Sequence, residues 1–329
     1  MFGKKIAVVG ATGLVGRTVL KVLDEYGLCD CPPDLYASER SEGKTVFAMG
    51  GEIPVCALKR ERLCGYDVVF VCAGSKVAEQ IVPFAAKGCG LVIDNSSCFR
   101  RCNEVPLVVP EINVADVDGK TRVVANPNCS TIQCALPLNA LKSFGIKSVR
   151  FTTLQAVSGS GQKGINALKH ALNGVSDGFY PCDISKSTLP EIGCMTSGGY
   201  TEEEEKMIFE TRKILHLPDI KISATCIRVP VENCHAASVC VELDENFTLN
   251  GVTKAISAQA GVRVCDAPVT LLTQELASGG DDVFVGRIRR DKATENGVCF
   301  YCVADNVRRG AASNAVKIAK AIFERNRSL

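Results

Sequence analysis

One of the eighteen cysteines stands where a nucleophile would. Cys129 lies in Asn126-Pro127-Asn128-Cys129-Ser130-Thr131, between a strand-like run and a helical run over 132–144. That spacing puts its sulfur at or near a helix N-terminus, where free N–H groups and the positive dipole end favour a thiolate. The histidines are His170, His216 and His235, and His235 follows Arg228 by seven residues, across Pro230. A guanidinium from a strand and an imidazole from the turn after it could bind an anion and move a proton. Near the N-terminus, Gly10-Ala11-Thr12-Gly13-Leu14-Val15-Gly16 has the spacing G-x-x-G-x-x-G. Glycines there allow a tight turn and close backbone approach to a pyrophosphate, and the next helix supplies N–H donors. Further on, Ser38-Glu39-Arg40-Ser41 stands where an NAD site usually places a ribose-binding carboxylate. Arg40 with the hydroxyls of Ser38 and Ser41 suits a 2′-phosphate and so favours NADP, although Glu39 stands among them. A solvated loop is the plainer reading of the same residues.

These groups need elements to hold them. The chain has 329 residues, enough for about two domains. Short apolar runs at 5–10, 35–38, 67–72, 91–94 and 122–125 read as buried strands. Helical spacing over 12–23 and 76–87 separates some of them, which indicates a parallel α/β sheet. After about residue 146 the strand-like runs lengthen, at 148–157, 220–229, 236–243, 283–288 and 298–304. The expected architecture is therefore α/β: a Rossmann-like dinucleotide-binding domain, then an α+β domain with a mainly antiparallel sheet, whose catalytic and dimerisation roles are implied by the family resemblance described below. The expected limits are 1–128 joined by a C-terminal helix at 308–329, and 129–307. Composition is ordinary for a soluble protein, 46% hydrophobic and 22% charged, and the net charge of +2 gives no field for nucleic acid or a membrane surface. No apolar run reaches the length of a spanning helix, and the short run after Lys4 and Lys5 is broken too early for a secretory signal. A cytoplasmic location follows. Most cysteines sit in apolar segments and read as small buried hydrophobes in a reducing compartment. Cys299 and Cys302 form a lone C-x-x-C within a strand-like run, with no second pair at zinc spacing, so no metal is expected.

The ordered motifs resemble the aspartate-semialdehyde dehydrogenase family. The resemblance rests on Gly10 to Gly16, Asp94-Asn95-Ser96-Ser97 with Phe99-Arg100, and Asn126 to Thr131. It continues through Gln155-Ala156-Val157-Ser158-Gly159, Arg228-Val229-Pro230 with His235, and Asp305-Asn306 with Arg308. It spans the chain from Ile6 to Ala312. It implies Cys129 as nucleophile, His235 as general acid/base, Gln155 as the residue that positions the acyl group, and Asn128 as an assistant beside the cysteine. It implies Arg228 for the substrate α-carboxylate and Arg100 for phosphate. A helical Glu-x-x-Lys pair fits Glu203, for the substrate amine, and Lys206, for phosphate. Gly10, Thr12, Gly13, Leu14, Val15, Gly16, Ser38, Arg40, Ser41, Ser158, Gly159 and Asn306 are the implied cofactor contacts, with Asn306 near the nicotinamide. The acidic run 202–205 follows Thr201 and equally fits a helix cap, with Glu204 at the third helical position.

The activity so implied is reduction of L-aspartyl 4-phosphate by NADPH through a cysteine thioester, giving L-aspartate 4-semialdehyde and phosphate. It would feed lysine, threonine, methionine and diaminopimelate biosynthesis, in a homodimer or homotetramer. Rival readings are a reductase of N-acetyl-glutamyl phosphate, whose cysteine motif fits poorly here, and more weakly a glyceraldehyde-phosphate dehydrogenase. A different class is a non-catalytic NADP-binding regulator on the same fold. Cys98 and Cys234, beside functional motifs, depart from the family pattern and invite oxidation near the site.

Overall fold

The computed structural model describes residues 3–265 and 272–327. Positions 1–2 and 328–329 of the expected first domain, and 266–271 of the expected second, therefore lie outside the described residues. The chain forms two compact units, 1–127 with 311–329, and 128–310. Among the described residues, each unit is built on one sheet.

In the first unit the strands are β1 (Ile6–Val9), β2 (Asp34–Ala37), β3 (Thr45–Ala48), β4 (Gly51–Ala57), β5 (Val68–Val71), β6 (Leu91–Asp94) and β7 (Val123–Ala125). Their order is β3-β4-β2-β1-β5-β6-β7, and every neighbouring pair is parallel except β3–β4. The order reverses direction beside β1, the point at which open α/β sheets bind ligands beyond the strand ends. Side chains alternate across β1. Ile6 and Val8 pack into one cluster with Leu20, Leu23, Phe70 and Ile93, whereas Ala7 and Val9 join Val69, Val71, Ile81 and Val82 in another. Helix α1 (Leu14–Glu25) covers the first face and α2 (Ser75–Gly88) the second. A short helix α3 (Pro110–Asn113) precedes β7.

The β3–β4 hairpin has no counterpart among the expected strands. Its two-residue turn, Met49-Gly50, has positive φ at both positions, 53° and 77°. That is the turn geometry whose twist suits paired strands, but Asn-Gly or Asp-Gly would have been its usual signature.

In the second unit, α4 (Cys129–Ala140) comes first, then β8 (Ile146–Gln155), α5 (Gly161–Leu172), α6 (Glu202–Leu215), β9 (Lys221–Arg228) and β10 (His235–Leu243). Helix α7 (Leu249–Ala258), β11 (Val262–Val264), the short α8 (Gln274–Ala277), β12 (Val283–Arg290) and β13 (Gly297–Ala304) complete it. The sheet order is β11-β12-β13-β10-β8-β9, mostly antiparallel, with β8–β9 and β11–β12 parallel. The chain then returns to the first unit, where α9 (Ser313–Arg327) packs Ala315, Val316, Ile318, Ala319 and Ile322 onto the cluster that holds Ile6 and Val8. No helix among the described residues is long and apolar enough to cross a membrane.

Candidate active site

Cys129 is the first residue of α4. Asn128 caps that helix: its Oδ1 accepts the N–H groups of Ser130 at 2.9 Å and Thr131 at 3.3 Å. Such a cap satisfies donors that the first helical turn otherwise leaves bare. Cys129 is half-buried, unlike the fully covered Cys134, Cys226 and Cys234. Burial pushes the thiols of Cys72, Cys226 and Cys234 up to about 12, which leaves them inert.

Helix α6 supplies the carboxylate beside the nucleophile. Thr201 and Glu204 form a capping box, and Glu204 also accepts the N–H of Cys226 at 2.9 Å. Of the acidic run, Glu203 is the residue that turns toward α4 and β8. Its Oε1 accepts Asn128 Nδ2 at 2.8 Å and Gln155 Nε2 at 3.3 Å, and Lys206 Nζ lies 3.4 Å from its Oε2. One carboxylate thus ties together Asn128, Gln155 and Lys206.

The sheet of the second unit delivers the remaining groups at one of its ends. Gln155 closes β8 in register with Arg228, which closes β9, and His235 opens the antiparallel β10 opposite Ala304, the last residue of β13. Arg228 is buried, and its Nη1 donates to the Ala156 carbonyl at 2.6 Å. His235 is fully buried. Its Nδ1 accepts the backbone N–H of Ala156 at 3.0 Å, and its Nε2 has no hydrogen-bond partner among the described residues. A backbone N–H can only donate, so the proton of the neutral ring belongs on Nε2. Burial first, and then the positive charge of Arg228, hold the ring well below its ordinary value of 6.5, against a smaller opposing effect of the Cys234 backbone.

Gly159 keeps the space before both groups open. A Cβ there would come 2.8 Å from Arg228 Nη1 and 3.2 Å from His235 Nε2. Asn306 Oδ1 accepts Ser158 Oγ at 2.9 Å and the N–H of Cys234 at 2.9 Å. Cys234 has φ of 69°, unusual for a residue with a side chain, and this bond helps hold the turn that aims His235.

The other expected residues lie in the first unit. Arg100, not Arg101, is buried, with its Nη2 donating to the Asn95 carbonyl at 3.0 Å. Gly10 has φ of 81°, and a Cβ on it would meet the Cys72 carbonyl oxygen at 2.6 Å; one on Gly16 would meet the Gly10 oxygen at 2.2 Å. The turn between β1 and α1 is therefore closed to any larger residue at both places. Gly13 is the N-cap of α1 and has no side chain to cap it, so Leu14, Val15 and Gly16 begin a helix whose first turn suits an anion. Thr12 is half-buried in the same turn. Ser38, Glu39 and Arg40 line a cavity of about 510 Å³ with Leu58, Arg60 and Ile81. Ser41 donates its N–H to the Ser38 carbonyl at 2.8 Å and so closes the turn.

Comparison with known proteins decides what this assembly belongs to. The NAD-binding domain of the semialdehyde dehydrogenases matches residues 5–120, and their dimerisation domain matches 136–309. An aspartate-semialdehyde dehydrogenase of Aquifex aeolicus is 43% identical over 98% of both chains. The chain belongs to the aspartate-semialdehyde dehydrogenase family. Aspartate-semialdehyde dehydrogenase II of Vibrio cholerae, solved in complex with ASA, superposes with a TM-score of 0.90 at 36% identity and covers 98% of each chain. The enzyme of Candida albicans, solved with NADP, superposes at 0.76 with 25% identity, covering 98% of this chain and 99% of its own.

Several residues of this aspartate-semialdehyde dehydrogenase family member carried no readable signal. Leu58, Arg60 and Ile81 join Ser38 only because β4 and α2 flank the end of β2. Glu210, buried on α6, accepts the backbone N–H of Asn128 at 2.6 Å. The C-x-x-C pair separates. Residues three apart in a strand face opposite sides, so Cys299 meets Cys240 across the strands, Sγ to Sγ 2.7 Å, whereas Cys302 lies by Cys134. Cys240, Asp291 and Cys299 could group around a metal, but Arg150 already holds Asp291 Oδ2 at 3.1 Å and the Ala293 N–H holds Oδ1 at 2.9 Å.

Proposed function

We propose that this protein reduces L-aspartyl 4-phosphate with NADPH to L-aspartate 4-semialdehyde and phosphate, through a thioester on Cys129. The observation that carries the reading is Cys129 at the start of α4, with Glu203 binding Asn128, Gln155 and Lys206 in one network. The thiolate attacks the acyl carbon, a carbon–sulfur bond forms, and the carbon–oxygen bond to phosphate breaks. Arg100 and Lys206 offset the charge of the departing phosphate. Arg228 binds the substrate α-carboxylate and Glu203 its amine, which fixes the acyl group relative to the sulfur. Gln155 orients the carbonyl, and Asn128 holds the residue beside the nucleophile. NADPH, when bound, supplies the hydride that the thioester carbon accepts. His235 then shares its Nε2 proton with the oxygen that has gained charge and takes it back as the thiohemiacetal collapses, so aldehyde and thiolate are released and the ring is neutral again.

The residues of the first unit fit such a cofactor. Gly10, Thr12, Gly13, Leu14, Val15 and Gly16 present a close-packed turn and a helix start to the pyrophosphate. The cavity beside Ser38 and Arg40 has an apolar wall at Leu58 and Ile81 for an adenine ring, and guanidinium groups for a 2′-phosphate. Ser41 shapes that turn. Ser158 bonds to the Asn306 side chain that we place near the nicotinamide, and Gly159 follows it beside Arg228 and His235. Arg40→Ala should lower the ratio of kcat/KM for NADPH to that for NADH by about 10- to 100-fold, the cost of losing a charged hydrogen bond. An unchanged ratio would move the 2′-phosphate site elsewhere.

A homodimer through the second unit is supported by the matched dimerisation domain and by the exposed side chains of Leu172, Val175, Phe179 and Met195. Free thiols throughout support a reducing, cytoplasmic setting, and the product would serve synthesis of the aspartate-derived amino acids. The substrate is tested in reverse, by following NADPH formation from aspartate semialdehyde with and without phosphate. We expect phosphate-dependent turnover that exceeds that with N-acetyl-glutamate semialdehyde by at least about 100-fold. Equal rates with both aldehydes would refute the assignment.

A further inference from the structure

Glu203 and Glu210 are seven residues apart on α6, two helical turns, so they share a face. Both carboxylates end on Asn128, one on its side chain and one on its backbone. Every polar group type of Asn128 is thereby engaged. Its N–H donates to Glu210 Oε2 at 2.6 Å and its Nδ2 to Glu203 Oε1 at 2.8 Å. Its Oδ1 accepts Ser130 N–H and Thr131 N–H, and its carbonyl accepts the Ile132 N–H at 2.9 Å. Glu210 is 1% exposed, where a charge-assisted bond is short and strong. Cys129, the next residue, is hemmed in from another side: a Cβ on Gly310 would come within 2.7 Å of the Cys129 Cβ. The nucleophile is therefore fixed by a backbone bond that the capping side chain alone does not provide.

We propose that Glu210 is a positioning residue for the reaction: it holds the Asn128 backbone and so sets where the Cys129 sulfur meets the acyl carbon. The inference rests on the covalent reading above. Glu203 lies among the groups proposed above to touch substrate, whereas Glu210 reaches the site through the Asn128 backbone. Deleting its oxygen acceptor should leave substrate and cofactor binding nearly intact and lower the chemical step. A small displacement of a reacting atom is enough to cost about 100-fold.

The test uses the full-length protein and two variants, Glu210→Ala and Glu210→Gln. For Glu210→Ala, kcat should fall by about 100-fold while KM for aspartate semialdehyde stays within about threefold. Glu210→Gln, which retains an oxygen that can accept the Asn128 N–H, should recover at least about tenfold of that loss. A second readout needs no substrate. The rate at which iodoacetamide alkylates Cys129, read from its peptide by mass spectrometry, should fall in Glu210→Ala and return in Glu210→Gln. The exposed Cys31, Cys64, Cys182 and Cys194 should react as before, and the buried Cys134 and Cys302 should stay protected. Labelling of Cys134 and Cys302 in the variants would show an opened fold and overturn the positioning role. So would an unchanged kcat and an unchanged Cys129 rate in both variants. Should the unaltered protein turn over no aldehyde while the Cys129 rates follow the expected order, the proposed reaction fails and the placement of Cys129 by Glu210 stands.

Discussion

Cys129→Ser should lose turnover by several orders of magnitude while NADPH affinity barely changes. A hydroxyl titrates far above a thiol, so the start of α4 cannot ionise it usefully near neutral pH. An oxygen ester is also a poorer hydride acceptor than a thioester, so both halves of the reaction suffer. Serine is no larger than cysteine, so the crowding at Gly310 gives no reason for misfolding. The cofactor contacts proposed in the first unit remain untouched. Steady-state assays with a fluorescence titration of NADPH check both statements, and near-normal turnover would remove the covalent route.

His235→Asn should lower turnover by about 10²- to 10⁴-fold, the usual worth of a placed acid or base. Its pH behaviour is the more particular expectation. Burial and Arg228 disfavour the charged ring, so the folded value lies below 6.5 and the neutral form persists as pH falls. An acid limb at the ordinary histidine value should therefore be absent from the kcat/KM profile, and any limb from His235 should lie lower. The same shift has a stability consequence. Above 6.5 the folded and unfolded rings are both neutral, and the contribution is fully present. Between 6.5 and the lower folded value, the unfolded chain takes up a proton that the folded ring refuses, so stability falls as pH drops through this window. Urea unfolding at several pH values should show this dependence weakened in His235→Asn.

Much of this was legible in the residues. Apolar runs with period-two or continuous burial marked β1, β5 and β6, because strands covered on both faces need little else to specify them. The strand-like run before Asn126 and the helical run after Thr131 marked the start of α4 near Cys129, and the capping by Asn128 emerged only in the structure. The β3–β4 hairpin was not legible, because Met49 adopts positive φ without being a residue that favours it. Helix α5 carries a weak signature because it begins among the glycines 159, 161 and 164, which disfavour a helix start by propensity. For the site, local motifs pointed to Cys129, Gln155, Arg228 and His235, and the structure places these at the start of α4 and at one end of the second sheet. Glu210 and Arg60 escaped notice for a physical reason. Their partners, Asn128 and the Ser38 turn, lie 82 and 22 positions away in sequence, and only tertiary packing brings them near.

The most direct measurement is a single-turnover experiment in the reverse direction, with aspartate semialdehyde and NADP but no phosphate. The account predicts a burst of NADPH near one equivalent per Cys129, then a halt, with the Cys129 peptide heavier by one aspartyl group until added phosphate restores turnover. Steady NADPH formation without phosphate, or an unmodified Cys129 after the burst, would contradict it.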